Sequence, residues 1–193
     1  MTDSTNGATG SQEWSFSVAD GKGKVSMATA GSGYTALLNS VNTTTSDLSF
    51  DVSMDKAATG GGQYVSAIGR NVTGAGFYSA KVRILSTGAV QVYLLKTVGG
   101  TETIFSSQTV SGLTYAAGDT LKLRLQVTGN GTTALKVKLW STGSEPTAWT
   151  LSTTDTTAAL QAAGAVGVST YVSGSSTNLP IVYSFDNLVV PAP

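Results

Sequence analysis

The chain has no cysteine and no histidine. Without cysteine there is no disulfide, no thiolate metal site and no Cys nucleophile. Without histidine the commonest general base and transition-metal ligand is missing as well. Charge is also scarce. Asp, Glu, Lys and Arg make up 11% of the 193 residues, against about a quarter in an average domain, and the formal net charge is zero. That balance points neither to nucleic acid nor to an anionic membrane surface. No apolar run nears the ~18 residues expected of a membrane-spanning helix. The opening residues, MTDSTNGATGSQ, lack the charged and apolar regions of a secretory signal.

What is present is apolar residue in short, regular alternation. Apolar side chains are 40% of the sequence, and 23 glycines punctuate it. From Phe77 to Lys96, Ala80, Val82 and Ile84 alternate with Lys81 and Arg83. Past Ser86-Thr87-Gly88, Val90, Val92 and Leu94 alternate with Gln91 and Tyr93. A period of two on either side of a small-residue turn predicts a β-hairpin with one buried face. Leu48, Phe50, Val52 and Met54 alternate in the same way with Asp47, Ser49, Asp51, Ser53 and Asp55. Leu121 to Val127 and Leu135 to Leu139 repeat the pattern around Asn130-Gly131, a strong hairpin turn.

Further strands are predicted at Trp14–Val18, Val25–Met27, Tyr34–Val41, Gln63–Arg70, Glu102–Val110, Ala165–Val172 and Ile181–Val190. The last is apolar on both faces and is expected to be central. One short helix is predicted over Thr156–Ala163, capped by Asp155 or Thr156 and stopped by Gly164. About twelve strands and at most one short helix make this an all-β protein, a two-sheet antiparallel β-sandwich of jelly-roll type. Residues 1–12 read as a polar lead-in, 13–190 as one module and 191–193 as the edge of a linker.

The segments MDKAATGGGQYVSAIGR, AKVRILSTGAVQVYL, GLTYAAGDTLKLRLQVTG, EPTAWTLSTTD and YSFDNLVV carry a likeness. Over roughly Trp14 to Val190 the chain resembles the concanavalin-like jelly-roll modules of secreted and surface proteins of high-GC Gram-positive bacteria (actinobacteria), and of phage tail proteins. The resemblance implies a non-catalytic accessory or adhesion domain of a secreted or cell-surface multidomain protein, with a polysaccharide or cell-surface glycan as partner. The alternative is a structural or protein-contacting spacer, such as a surface stalk or a phage tail component. A carbohydrate module is expected to be monomeric and a tail component trimeric. In such modules an Asp near the final strand helps hold a structural Ca²⁺ with residues of the N-terminal strand, and the match nominates Asp186.

Catalysis is argued against from the residues. Glycoside hydrolysis needs two carboxylates roughly 5–10 Å apart. Glu13, Glu102 and Glu145 are the only glutamates and fall in three separate regions. Asp51 and Asp55 share a strand face but stand roughly 13 Å apart at a ~3.3 Å rise. The candidate ligand face is drawn from a recurring basic-x-basic pattern at Lys81/Arg83, Lys122/Arg124 and Lys136/Lys138. Each pair is the polar half of an alternating strand. If the three strands share a sheet, Lys81, Arg83, Gln91, Tyr93, Arg124, Gln126, Lys138 and Trp140 form one polar, partly aromatic field. Rings that stack on sugars, flanked by donors for hydroxyls, are what glycan recognition requires. The competing reading is an ordinary wet face whose cations pair with Asp47, Asp51 and Asp55 across strands. Tyr64 and Tyr78 flank the Arg70–Gly76 loop as candidate rim residues. Trp14 and Trp149 read as core or loop anchors.

Overall fold

The computed structural model describes residues 16–191. The expected lead-in over 1–12, together with Glu13 and Trp14, lies outside the described residues, as do Ala192 and Pro193. Thirteen strands follow one another: β1 (Phe16–Ala19), β2 (Lys22–Met27), β3 (Gly33–Thr43), β4 (Ser46–Met54), β5 (Gln63–Val72), β6 (Gly76–Ile84), β7 (Ala89–Val98), β8 (Thr101–Thr114), β9 (Leu121–Thr128), β10 (Thr133–Trp140), β11 (Leu151–Asp155), β12 (Gly164–Val172) and β13 (Ile181–Val189). A seven-stranded sheet has the order β1-β2-β13-β4-β9-β10-β11, and a six-stranded sheet β3-β12-β5-β6-β7-β8. All pairings are antiparallel. The jelly-roll sandwich expected from the alternation is the architecture observed.

The alternation places the core between the sheets. β4 is buried at every second residue from Ser46 to Met54, and β9 repeats this from Leu121 to Val127. Leu48, Phe50, Leu123 and Leu125 of one sheet meet Val65, Ala80, Val82, Val92 and Leu94 of the other in one cluster. Burying a side chain of this size contributes about 1.5–3 kcal/mol. β13 lies inside the seven-stranded sheet, between β2 and β4, as its apolar content suggests.

Two elements differ from expectation. β11, with the sequence LSTTD, carries too little apolar residue to show as a strand, yet it pairs with β10 as an edge. The helix expected over Thr156–Ala163 contracts to a 3-10 turn at Ala158–Leu160. Leu160 is drawn into the core with no exposure, and Gly164 already belongs to β12, so the segment has no room for a full helix. The Asp155 carboxylate still accepts the Thr157 amide at 2.9 Å, as a cap would.

The two sheets are tied at one end by a buried polar cluster. A bulge at Gly69 breaks the β5–β6 register between Ile68 and Arg70. A Cβ on Gly69 would stand 2.4 Å from Val127 Cγ2, so the close sheet approach there requires glycine. The bulge turns Arg70 inward, where it is fully buried. Its guanidinium donates to Thr133 Oγ1 at 3.0 Å, to the Leu160 carbonyl at 3.1 Å, to the Gly129 carbonyl at 2.8 Å and to the Thr44 carbonyl. Beside it, the Tyr78 hydroxyl donates to Asp155 Oδ2 at 2.7 Å and Lys96 Nζ approaches Asp155 Oδ1 at 3.0 Å. Tyr78, expected at a rim, is therefore part of the interior: alternation turns it toward the core, where it has no exposure.

Burial alone would raise the Asp155 pKa, but donors from the Thr157 hydroxyl, Tyr78, the Thr157 amide and Lys96 outweigh it and hold the group at about 2. A depressed carboxylate contributes fully above its unfolded value, near 3.9, and loses that contribution as pH falls through the folded value. Asp155→Asn should therefore cost about 2 kcal/mol of stability at pH 7. In urea titrations the gap between wild type and variant should close from about pH 4 toward pH 2. An undiminished gap at pH 2 would contradict this role for the charge.

Candidate functional site

The three basic pairs do not share a face. Lys81 and Arg83 lie on β6 of the six-stranded sheet, whereas Lys122/Arg124 and Lys136/Lys138 lie on β9 and β10 of the seven-stranded sheet. The pairs thus point out from opposite sides of the sandwich. The single ligand field expected from sequence divides in two, because alternation reports in and out but not which sheet a strand joins.

On the seven-stranded side, cross-strand neighbours neutralise the cations. Lys122 pairs with Asp51 at 2.7 Å, and Arg124 grips Asp47 through Nε at 2.8 Å and Nη2 at 2.6 Å. Glu145, from the loop after β10, accepts from Arg124 at 2.8 Å and from Lys138 at 2.7 Å. Gln126 Nε2 donates to Asp47 Oδ2 at 3.2 Å. Trp149 closes over this row, with Lys138 Nζ 4.7 Å from its ring centroid and Arg124 and Lys136 at 5.7 and 5.8 Å. Trp149 is therefore a loop anchor held by cation–π contacts. Trp140, the outward ring favoured from sequence, lies opposite Lys122 in the register, is half-buried, and has its indole Nε1 buried without a partner among the described residues.

Asp186 sits opposite Asp51 on β13 and accepts the Asn187 amide at 2.8 Å. Asp51 Oδ2 is taken by Lys122 and by the Asn187 side-chain amide at 2.9 Å. Among the described residues no three acidic, His or Cys side chains gather to hold a metal. Ca²⁺ takes six to eight oxygens, backbone carbonyls and water included, so Asp186 and Asp51 would supply only part of such a set. The N-terminal residues that the resemblance would add lie outside the described range.

The six-stranded side is built differently. Register aligns Tyr171, Tyr64, Arg83, Gln91 and Thr109 in one row across β12, β5, β6, β7 and β8. The next row is Ser169, Ser66, Lys81, Tyr93 and Ser107. Tyr64 packs edge-on against Tyr171 at 5.4 Å, and the Arg83 guanidinium lies 5.5 Å from the Tyr64 ring. Arg83 donates twice to the Gly61 carbonyl, at 3.0 and 2.8 Å, and the Tyr64 hydroxyl donates to the same oxygen at 3.0 Å. Tyr93 donates to Gln91 at 2.7 Å, and Lys81 pairs with Glu102. Tyr171 is 42% exposed and is the most open ring of the ladder. Its only trace in the sequence is its place in an alternating strand.

Beyond these rows the same face falls into a groove of about 1010 Å³, at the upper end of the range typical of ligand pockets. Leu37, Ile68, Ala165 and Phe77 supply its apolar lining, and Asn39, Asn42, Asn71 and Thr35 its amides and hydroxyl. Asn39 and Asn42 are exposed, and Asn71 and Phe77 half-buried. Gly167 keeps the floor low: a Cβ there would meet the Ala36 carbonyl at 2.2 Å and Leu37 Cδ2 at 2.8 Å. β5 and β12 both break register at this level, and bulges bend strands, which accounts for the concavity. Asn42 and Asn71 open N-x-T triplets, which a Thr-rich chain holds by chance, and no motif in the sequence marks the groove.

The paired side offers a direct check. Asp47→Asn should lower stability by about 1 kcal/mol through loss of the two-pronged Arg124 pair. That difference should shrink in about 1 M NaCl, where screening acts within about 3 Å. Thermal melts at both salt levels measure it, and a salt-independent difference would count against the ion-pair account.

No known sequence family and no curated protein matches the chain. Solved structures do. The carbohydrate-binding module CBM66 from Bacillus subtilis superposes with a TM-score of 0.64 at 12% identity, over 92% of this chain and 91% of that one. A prokaryotic β-1,3-1,4-glucanase (lichenase) derived from a mouse hindgut metagenome gives 0.59 at 11% identity, over 92% and 82%. A legume lectin-like domain from Entamoeba histolytica gives 0.56 at 12% identity, over 91% and 86%. At these identities the likeness is one of architecture: the chain has the two-sheet jelly-roll fold that these binding modules, lectin-like domains and glucanases share.

Proposed function

We propose that the domain is a non-catalytic carbohydrate-binding module that attaches a secreted or surface multidomain protein to a polysaccharide. The observation that carries this reading is the open groove on the six-stranded sheet, with Phe77 and flanking amides in its lining and the exposed Tyr171, packed edge-on against the half-buried Tyr64, on the same face. Apolar rings take the faces of sugars, and amides and hydroxyls take their edges. The similar structures include a carbohydrate-binding module and a lectin-like domain, which supports the same class of ligand. Chemistry is not part of the proposal. Glu102, the acidic residue on this face that pairs with Lys81, has no second carboxylate in the groove lining to work with among the described residues.

The side chains of the ligand face expected from sequence divide accordingly. Lys81, Arg83, Gln91 and Tyr93 shape the face while bonded to their own neighbours, and Arg124, Gln126, Lys138 and Trp140 lie on the opposite side of the sandwich. Affinity electrophoresis or pull-down on insoluble polysaccharides tests the reading. Phe77→Ala should weaken retention about tenfold or more, and Tyr171→Ala about threefold to tenfold, with unchanged thermal stability for the exposed tyrosine. Trp140→Ala should leave retention unchanged. Loss of retention in Trp140→Ala with none in Phe77→Ala would move the site to the other sheet.

A further inference from the structure

The groove runs along β3, from Gly33 to Asn42, and also across the strands. Its lining includes Leu37 on β3, Ala165 on β12, Ile68 on β5, Phe77 on β6 and Thr97 on β7, five neighbouring strands of one sheet. At ~4.8 Å between strands that is a span of roughly 19 Å. That length exceeds one sugar ring several times over. Among the described residues no aspartate, glutamate, lysine or arginine lines it.

The nearby cations are already committed. On the same face Lys81 is paired with Glu102, and Arg83 directs Nε and Nη2 at the Gly61 carbonyl. On the opposite face Lys122, Arg124 and Lys138 are paired with Asp51, Asp47 and Glu145. A carboxylate or sulfate entering the groove would lose water and gain no counter-charge, which disfavours an anionic chain. Uncharged hydroxyls lose far less and meet the amides of Asn39, Asn42 and Asn71.

Resting on the carbohydrate-binding reading above, we infer that the groove takes an internal run of several units of a neutral polysaccharide and discriminates against acidic chains. The ligand class follows from the uncharged lining, and the run of units from the span.

The test uses the whole chain and three sets of probes. The first is a panel of neutral polymers (β-glucan, xylan, mannan, fructan), the second a panel of acidic ones (polygalacturonate, alginate, a sulfated galactan). The third is an oligosaccharide ladder of whichever neutral polymer binds, followed by titration calorimetry. Neutral polymers should bind, with affinity changing less than about twofold between low salt and about 1 M NaCl. Along the ladder, affinity should rise about tenfold or more from the disaccharide until the groove is filled. Preference for the acidic panel, or a salt-induced loss beyond about tenfold, would overturn the neutral class while leaving carbohydrate binding intact. A disaccharide that binds as tightly as the polymer would overturn the internal run. Failure of every polymer in both panels would instead remove the carbohydrate reading itself, and this inference with it.

Discussion

A cation removed from water organises this molecule. Arg70 has no exposure, yet its guanidinium meets a hydroxyl and three backbone carbonyls drawn from three separate stretches of chain. Two of those acceptors, Thr133 and the Gly129 carbonyl, belong to the seven-stranded sheet or its turns, whereas Arg70 belongs to the six-stranded one. A buried charge is tolerated only when its donors are met, so the cluster constrains how the two sheets sit at that end. Its Nε has no partner, which leaves one donor of five unmet among the described residues. The bulge at Gly69 that turns Arg70 inward also bends β5 where the outer groove begins. Core and candidate site therefore share one backbone irregularity.

The two outer faces illustrate how polar residues with similar patterns reach different ends. Basic-x-basic on β9 and β10 finds Asp47, Asp51 and Glu145 within reach, and Trp149 lies over the row. Those charges stabilise strand and loop neighbours, each by a modest amount. Basic-x-basic on β6 instead finds one glutamate and one carbonyl, and stands beside a ladder of tyrosines. The face with fewer ion pairs is the one that opens into a groove. Small residues accompany it: Gly164, Ala165 and Gly167 on β12 leave backbone near the surface, where larger side chains would meet Asn71, Ala36 and Leu37.

The fold was legible because alternation is local. β4, β6, β7, β9 and β10 each show their buried face in fewer than ten consecutive residues or thereabouts. β11 was not legible, since LSTTD gains its strand conformation from pairing with β10 rather than from its own apolar content. The helix expected over Thr156–Ala163 failed for a similar reason: Leu160 is pulled into the core and Gly164 is claimed by a neighbouring strand. Of the ligand face, the outward direction of Lys81, Arg83, Gln91, Tyr93, Arg124 and Gln126 was readable, and their division between two sheets was not. Tyr171 and the groove asparagines carry no pattern in the sequence that marks them as one surface.

What the sequence by itself determined is the class of structure and the chemistry left open to it. Period-two patterning broken by glycine commits the chain to sheets, and the lack of histidine and cysteine removes imidazole and thiol chemistry, leaving carboxylates, amines, guanidinium groups, amides, hydroxyls and rings. Which strands become neighbours was decided only in three dimensions, by pairing between segments far apart in the chain, such as β4 with β9 and β5 with β12. Strand order separates the basic pairs, buries Tyr78, closes Trp149 over its cations and hollows the groove. Side-chain direction is set by residues two apart, whereas a surface is assembled by strands a hundred residues apart.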